Sequence, residues 1–212
     1  GQKHLPEFTM LEWYRSDYDY LSLMDECELL LRQLIPSGTL HYQNRQIDIR
    51  LPFERLSVHN AFQRYCQCDA LTALSDDRFD ELMVCEIEPH LGIDRPTILY
   101  DYPADLAALA RRKPGQPELA ERFELYIAGM ELANAFSELT DQLEQRHRFE
   151  TDESARRQLG KKPKTLPESF LTEMGQLPPS AGIALGIDRL IMLLTDTETI
   201  DNVVTFTPEE LP

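Results

Sequence analysis

Two carboxylates, Glu124 and Glu131, flank an Ala128-Gly129 pair in the stretch FELYIAGMELANAFSELTD, residues 123–141. The stretch reads as two strands joined by a two-residue turn, with Gly129 supplying the positive φ that such a turn requires. Pairing outward sets Ile127 opposite Met130, Tyr126 opposite Glu131 and Glu124 opposite Ala133. Side chains alternate along a strand, so Glu124, Tyr126 and Glu131 share one face. Carboxylates placed as diagonal neighbours repel unless a positive charge lies between them. A hard divalent cation such as Mg²⁺, shared with substrate phosphates, would fill that place. From spacing alone, a solvated hairpin with its acids in water is the commoner arrangement. Further on, Asn134, Phe136 and Glu138 alternate on one face, and an amide, a ring and a carboxylate together suit a cationic ligand. Regular alternation puts that trio on the side opposite Glu131. A single shared pocket therefore demands a bulge between Glu131 and Asn134.

Two other positions could carry chemistry. Arg189 sits in the first turn of an otherwise apolar helix, where a guanidinium is costly unless it meets an anion, an aromatic or a nucleobase. Glu12 shares a strand face with Phe8, Met10 and Tyr14. It is either an internal ligand contact or an exposed acid on an edge strand, and the pattern leaves both open.

The elements that must position these residues follow from periodicity and caps. Glu7–Arg15 reads as a strand rich in β-formers. A helix runs from Asp19 to Leu34 and is stopped by Pro36-Ser37-Gly38. A short strand lies within Gln43–Leu51, a helix runs from the Ser57 N-cap through Tyr65, and another runs from Asp76 to about His90. Thr97–Tyr100 is a strand, Asp101-Tyr102-Pro103 a turn, Leu106–Arg112 a short helix and Lys113–Pro117 a loop. After the hairpin come a charged helix over Asp141–Leu159 and a short helix over Pro167–Met174. Gly182–Leu194 reads as a strand followed by a helix opened by Asp188, and Val203–Phe206 as a final strand.

Composition narrows the class. The chain has 212 residues, 42% hydrophobic and 8% aromatic, enough for one sizeable core. No apolar run approaches membrane-spanning length, and no signal peptide opens the chain. Cys27, Cys66, Cys68 and Cys85 match neither a zinc ribbon nor a disulfide framework, so reduced thiols in a cytoplasmic protein are expected. A net charge of −16 disfavours tight non-specific binding of polyanions. Local basic runs at Arg111–Lys113 and Arg156–Lys164 are more often solvated faces than binding sites.

Three separated blocks then converge on one family. PEFTMLEWY (residues 6–14), FELYIAGMELANAFSEL (residues 123–139) and GIALGIDRL (residues 182–190) resemble, in that order, blocks of class II aminoacyl-tRNA synthetases of the lysine type. They match the later part of motif 2, the metal- and lysine-binding hairpin, and motif 3. The resemblance covers nearly the whole chain. Within the family it is most similar to the shorter ligases that lysylate elongation factor P. TMLEWYRSDYDYLSLMDE, AFQRYCQCDALTA and Ala184, which stands where lysyl-tRNA synthetases usually carry glycine, favour that subgroup.

The resemblance implies an α+β fold, a class II core of mostly antiparallel sheet flanked by helices. One catalytic domain over residues 1–212 is expected, without an anticodon-binding domain. The core would be N-terminally incomplete, because motif 1 and the first strand of motif 2, with its α-phosphate-binding arginine, would precede Gly1. The implied activity is ATP-dependent activation of lysine or β-lysine as an aminoacyl adenylate, then transfer to a lysine side chain of elongation factor P. ATP and Mg²⁺ are the implied cofactors, and a homodimer is one implied assembly. A lysyl-tRNA synthetase fragment that charges tRNA and a truncated non-catalytic homologue are the alternatives. By the same resemblance, Phe8 and Arg189 sandwich adenine, His4 approaches the phosphates, and Glu124 and Glu131 hold Mg²⁺. Glu12, Tyr14, Asn134, Phe136 and Glu138 line the lysine pocket, and Ala184 shapes its floor. His4 and Arg189 are then the candidate catalytic groups. Ala135 replaces a glycine usual in the hairpin.

Overall fold

The computed structural model describes residues 5–207. Its elements are β1 (Met10–Ser16), α1 (Tyr20–Leu34), β2 (Thr39–Tyr42), β3 (Arg45–Asp48), β4 (Glu54–Ser57), α2 (Val58–Cys66), α3 (Ala70–Ser75) and α4 (Phe79–Leu82). They continue with β5 (Thr97–Pro103), β6 (Arg112–Lys113), β7 (Gln116–Ile127), β8 (Met130–Ser137), α5 (Gln142–Gln158), α6 (Glu168–Met174), β9 (Ser180–Gly186) and α7 (Ile187–Leu194). The main sheet has the strand order β1-β9-β8-β7-β5-β4, with β6 beside β7. Its ladders are antiparallel apart from β4–β5, which is parallel. Strands and helices are thus combined as an α+β fold with a mostly antiparallel sheet.

Alternation along the strands assigns the two faces. Ala133, Ala135, Ile183, Leu185, Phe123 and Leu125 turn to one side and pack with Leu23, Met24, Cys27 and Leu31 of α1. Burying each of those large α1 side chains contributes about 2 kcal/mol. The opposite face is left for Asn134, Phe136, Ala184 and their neighbours. A second core gathers Phe62, Phe79, Ile87, Leu91, Leu99 and Tyr126 beneath α2 to α4. Helix starts follow their caps. Asp19 accepts from the Ser22 N–H at 2.8 Å, Ser57 from Asn60 at 3.2 Å, and Asp141 from Leu143 at 2.9 Å. Each such cap is worth about 1 kcal/mol.

Several elements differ from the sequence expectation. Residues 43–51 are not one strand. Gln43 and Asn44, with φ of 49° and 61°, form the left-handed turn of the β2–β3 hairpin. The expected turn at Asp101–Pro103 is instead more of β5. Asp101 bulges with φ of 60° and the strand continues, because its buried carboxylate accepts from the Tyr20 hydroxyl at 2.7 Å and pairs with Lys113. The expected helix at Leu106–Arg112 is absent. The carbonyls of Ala107, Ala108 and Ala110 accept from Arg148 and Gln145 of α5 at 2.8, 3.0 and 2.9 Å, and only a single local turn bond, Ala110 N–H to the Ala107 carbonyl at 3.1 Å, remains among them.

The single helix expected from Asp76 to His90 is broken as well. It becomes α4, a wide turn over Met83–Ile87 and a tight one over Glu88–His90, where Pro89 has no N–H to give, while α3 ends at Ser75 before it starts. Val203–Phe206 forms no strand. Val203 and Val204 pack against the main core without a ladder partner.

Candidate functional site

The hairpin carries the bulge that a shared pocket demanded. Tyr126 pairs with Glu131, but Leu125 pairs with Ala133 and Glu124 with Asn134, so Leu132 is the extra residue in β8. Glu124 therefore faces Asn134 and not Ala133. Leu132 and Ala133 are both buried in succession, and the alternation changes phase between them. That shift brings Glu131 to the same side as Asn134, Phe136 and Glu138.

Those four residues line a cavity of about 500 Å³ together with Phe8, Glu12, Tyr14, Ala184 and Arg189. Nine of the eleven residues singled out in the sequence are thereby brought together. Glu124 is buried and does not line the cavity, and His4 is outside the described residues.

At one end, the Phe8 ring is 51% exposed and lines the cavity with Arg189. Two backbone contacts fix the segment behind the ring. The Thr9 N–H donates to the buried Asp188 carboxylate at 2.7 Å, and the Ile187 N–H donates to the Thr9 carbonyl at 3.0 Å. The Arg189 guanidinium donates to the Glu131 carbonyl at 2.7 Å and stands 3.7 Å from the Glu131 carboxylate.

The buried Glu124 accepts from the hydroxyls of Tyr102 and Tyr126, both at 2.6 Å, and pairs with Arg122. Burial pushes both phenols up, so they remain protonated donors. Arg122 also donates to the Asn134 side-chain oxygen at 3.3 Å and lies over the Tyr102 ring at 4.4 Å. Burial, and then the charge of Glu124, push the Glu131 carboxyl up against the opposing pull of Arg189 and Arg122.

At the far end, burial pushes the Glu138 carboxyl up to about 7. Tyr14 and Gly182 stand beside it, and Ala184 lines the same wall.

Among the described residues, no three His, Cys, Asp or Glu side chains are grouped so as to hold a metal. Of the pair read from the sequence, Glu131 lines the cavity, whereas both Glu124 oxygens are engaged by Arg122, Tyr102 and Tyr126, so a divalent cation held by both would have to draw Glu124 from those partners. A cation beside Glu131 would offset the burial and the neighbouring Glu124 charge that push its carboxyl up. The cavity thus offers a cationic and aromatic end suited to a nucleotide, the Glu131 carboxylate beside it, and at the far end the Glu138 carboxylate suited to an ammonium.

Sequence reasoning missed Arg122, Tyr102 and the tie from Asp188 to Thr9. Arg122 had a signal, since residues two apart on a strand share a face and it stands two before Glu124. Tyr102 had none, because it was read as part of a turn.

A mostly antiparallel sheet flanked by helices, with an acid-ended cavity and an arginine in the first turn of the helix that follows β9, is the arrangement of a class II aminoacyl-tRNA synthetase core. The family model of class II tRNA synthetases (D, K and N) matches residues 1–210, and the chain belongs to that family. Among relatives, the elongation factor P–(R)-β-lysine ligase of Hamiltonella defensa is 39% identical, over 99% of this chain and 67% of that protein. The proteins of the same name from Klebsiella pneumoniae and Salmonella dublin are 39% and 38% identical, each over 98% of this chain and 67% of the relative.

Proposed function

We propose that this chain is the catalytic part of an ATP-dependent ligase that activates lysine or β-lysine and transfers it to a lysine side chain of elongation factor P. The observation that carries the reading is the single cavity in which the Leu132 bulge unites Glu131 and Arg189 at one end with Glu138 at the other. The names and coverage of the relatives support the choice of acceptor.

Phe8 and Arg189 hold the adenine between a ring and a guanidinium. Glu138, with Glu12 and Tyr14 near it, takes an ammonium group of the amino acid. Asn134 and Phe136 orient its backbone end toward the nucleotide. The substrate carboxylate oxygen then bonds to the α-phosphorus as the bond to pyrophosphate breaks. In the second step the acceptor amine bonds to the acyl carbon, AMP leaves, and the amine gives up a proton. The chain's own contribution is alignment and charge placement, with no protein nucleophile. Glu131 and Glu124 would hold Mg²⁺, whose chemistry when bound is to neutralise phosphate charge. His4 is proposed to reach the phosphates, and the setting is proposed to be cytoplasmic. No helix among the described residues is long and apolar enough to cross a membrane.

The test is calorimetric titration of the purified chain with ATP·Mg²⁺ and with lysine or β-lysine, followed by adenylate formation and transfer to elongation factor P or to tRNA. Transfer to elongation factor P is expected. Transfer to tRNA alone would favour a tRNA-charging enzyme. Absence of both ligands' binding in a folded chain would remove the reading.

A further inference from the structure

Three small residues, Gly182, Ala184 and Gly186, follow one another on the cavity side of β9. Glycine inside a strand weakens it, so its presence needs a cause. At Gly182 the backbone is not that cause, since Gly182 is not among the positive-φ glycines. Nor is it a turn, because Gly182 pairs with Tyr14 on one side and Phe136 on the other, in regular ladders.

The neighbours supply the cause. A Cβ at position 182 would lie 2.5 Å from a Glu138 carboxylate oxygen and 2.6 Å from the Tyr14 ring. At Gly186 the nearest atom to such a Cβ would be 3.7 Å away, an ordinary contact. The demand for glycine is thus local to the point where the Glu138 carboxylate and the Tyr14 ring close over the strand.

We infer that Gly182 sets the length of the side chain the cavity accepts, by letting the Glu138 carboxylate sit back against β9. The inference rests on the proposed function, in which Glu138 receives the ammonium of a lysine-type substrate. A methyl group at position 182 drives the carboxylate forward into the cavity. The distance from the nucleotide end to the ammonium seat then shortens, and a substrate one methylene shorter is favoured. Ala184 touches the same wall but leaves the seat of the carboxylate alone, so the two positions act on different parts of the ligand.

The experiment compares the unaltered chain with Gly182→Ala. Binding of lysine and β-lysine is measured by calorimetry against ornithine and β-ornithine, each one methylene shorter. The expected result is at least a tenfold loss for the longer pair and less than a threefold loss for the shorter, a length-dependent difference that general loosening of the site would not give. Equal losses for all four, or no loss, would overturn the inference while leaving the proposed function intact. No binding of any of the four by the unaltered chain would overturn both. Should Gly182→Ala fail to fold, Glu138→Asp alone, which draws the carboxylate back toward β8, is titrated with lysine and with homolysine, one methylene longer. A relative gain for homolysine supports the inference, and an unchanged preference overturns it.

Discussion

The carboxylate of Asp188 accepts a 2.7 Å hydrogen bond from the backbone N–H of Thr9, a residue 179 positions earlier in the chain. Because Phe8 precedes Thr9 and Arg189 follows Asp188, this bond, with the Ile187 N–H to Thr9 carbonyl bond beside it, sets the spacing of the ring and the guanidinium. A charge-assisted bond of this kind contributes about 2 kcal/mol. Asp188→Ala is expected to lower stability to urea by about that amount and to weaken ATP about tenfold. Asp188→Asn keeps an acceptor oxygen and should lose less than half as much. Equal effects from the two variants would show that the acceptor is not what matters.

Arg189 acts on the nucleotide directly. Arg189→Ala removes a desolvated cation from above a ring, worth about 2 kcal/mol, and should weaken ATP roughly thirtyfold in calorimetry. It also removes the 2.7 Å bond to the Glu131 carbonyl, so the loss should exceed that of Arg189→Lys.

The Glu138 carboxyl, held at about 7 by burial, gives a pH dependence of two opposite signs. An ammonium needs the ionised form, so lysine affinity should fall below pH 7, approaching about tenfold per unit. The stability of the ligand-free protein runs the other way. The folded state holds this proton more tightly than the unfolded state, so its contribution is present at low pH and is lost as pH rises through about 7. Glu138→Gln should flatten the affinity profile and lessen the stability trend, of which the raised Glu131 carboxyl leaves a remainder. Calorimetric affinities and melting temperatures between pH 5 and pH 9 (roughly two units either side of the transition) are the measurements.

Arg122 and Glu124 form a largely buried pair that also collects two phenols. Removing one partner strands a charge, so Arg122→Met should cost about 3 kcal/mol in urea unfolding. The double variant Arg122→Met, Glu124→Gln should recover a substantial part of that loss, because no charge is then left behind. A double variant as unstable as the single one would rule out the stranded charge as the cause.

Most of the site could be read from residue type and spacing, while its connectivity could not. The Ala128-Gly129 turn, the caps at Asp19, Ser57 and Asp141, and the strand-to-helix step at Gly186–Ile187 all follow from local chemistry. The bulge at Leu132 follows from long-range packing. Leu132 and Ala133 are both wanted in the core, and a regular strand can deliver only one of two successive side chains there. The loop over residues 107–110 was misread for a similar reason, since its apolar spacing suits a helix but Arg148 and Gln145 take its carbonyls from outside. The family resemblance named the ligands for the cavity, whereas Arg122 has no part in it and Asp188 figures in the sequence only as the opener of a helix, not as the partner of Thr9.

The seam between β1 and β9 gives the cavity a history as well as a shape. The wall formed by β7 and β8 closes across a two-residue turn, whereas the wall bearing Glu12 and Tyr14 closes a loop of roughly 165 residues. Such distant pairing is slow compared with a hairpin, so the wall on β1 forms late when the chain refolds. The chain's one tryptophan, Trp13, lies in that strand and donates to Glu26 of α1 at 3.2 Å. Its fluorescence therefore times the closing of the site, and ligand binding should appear with that signal and not before it.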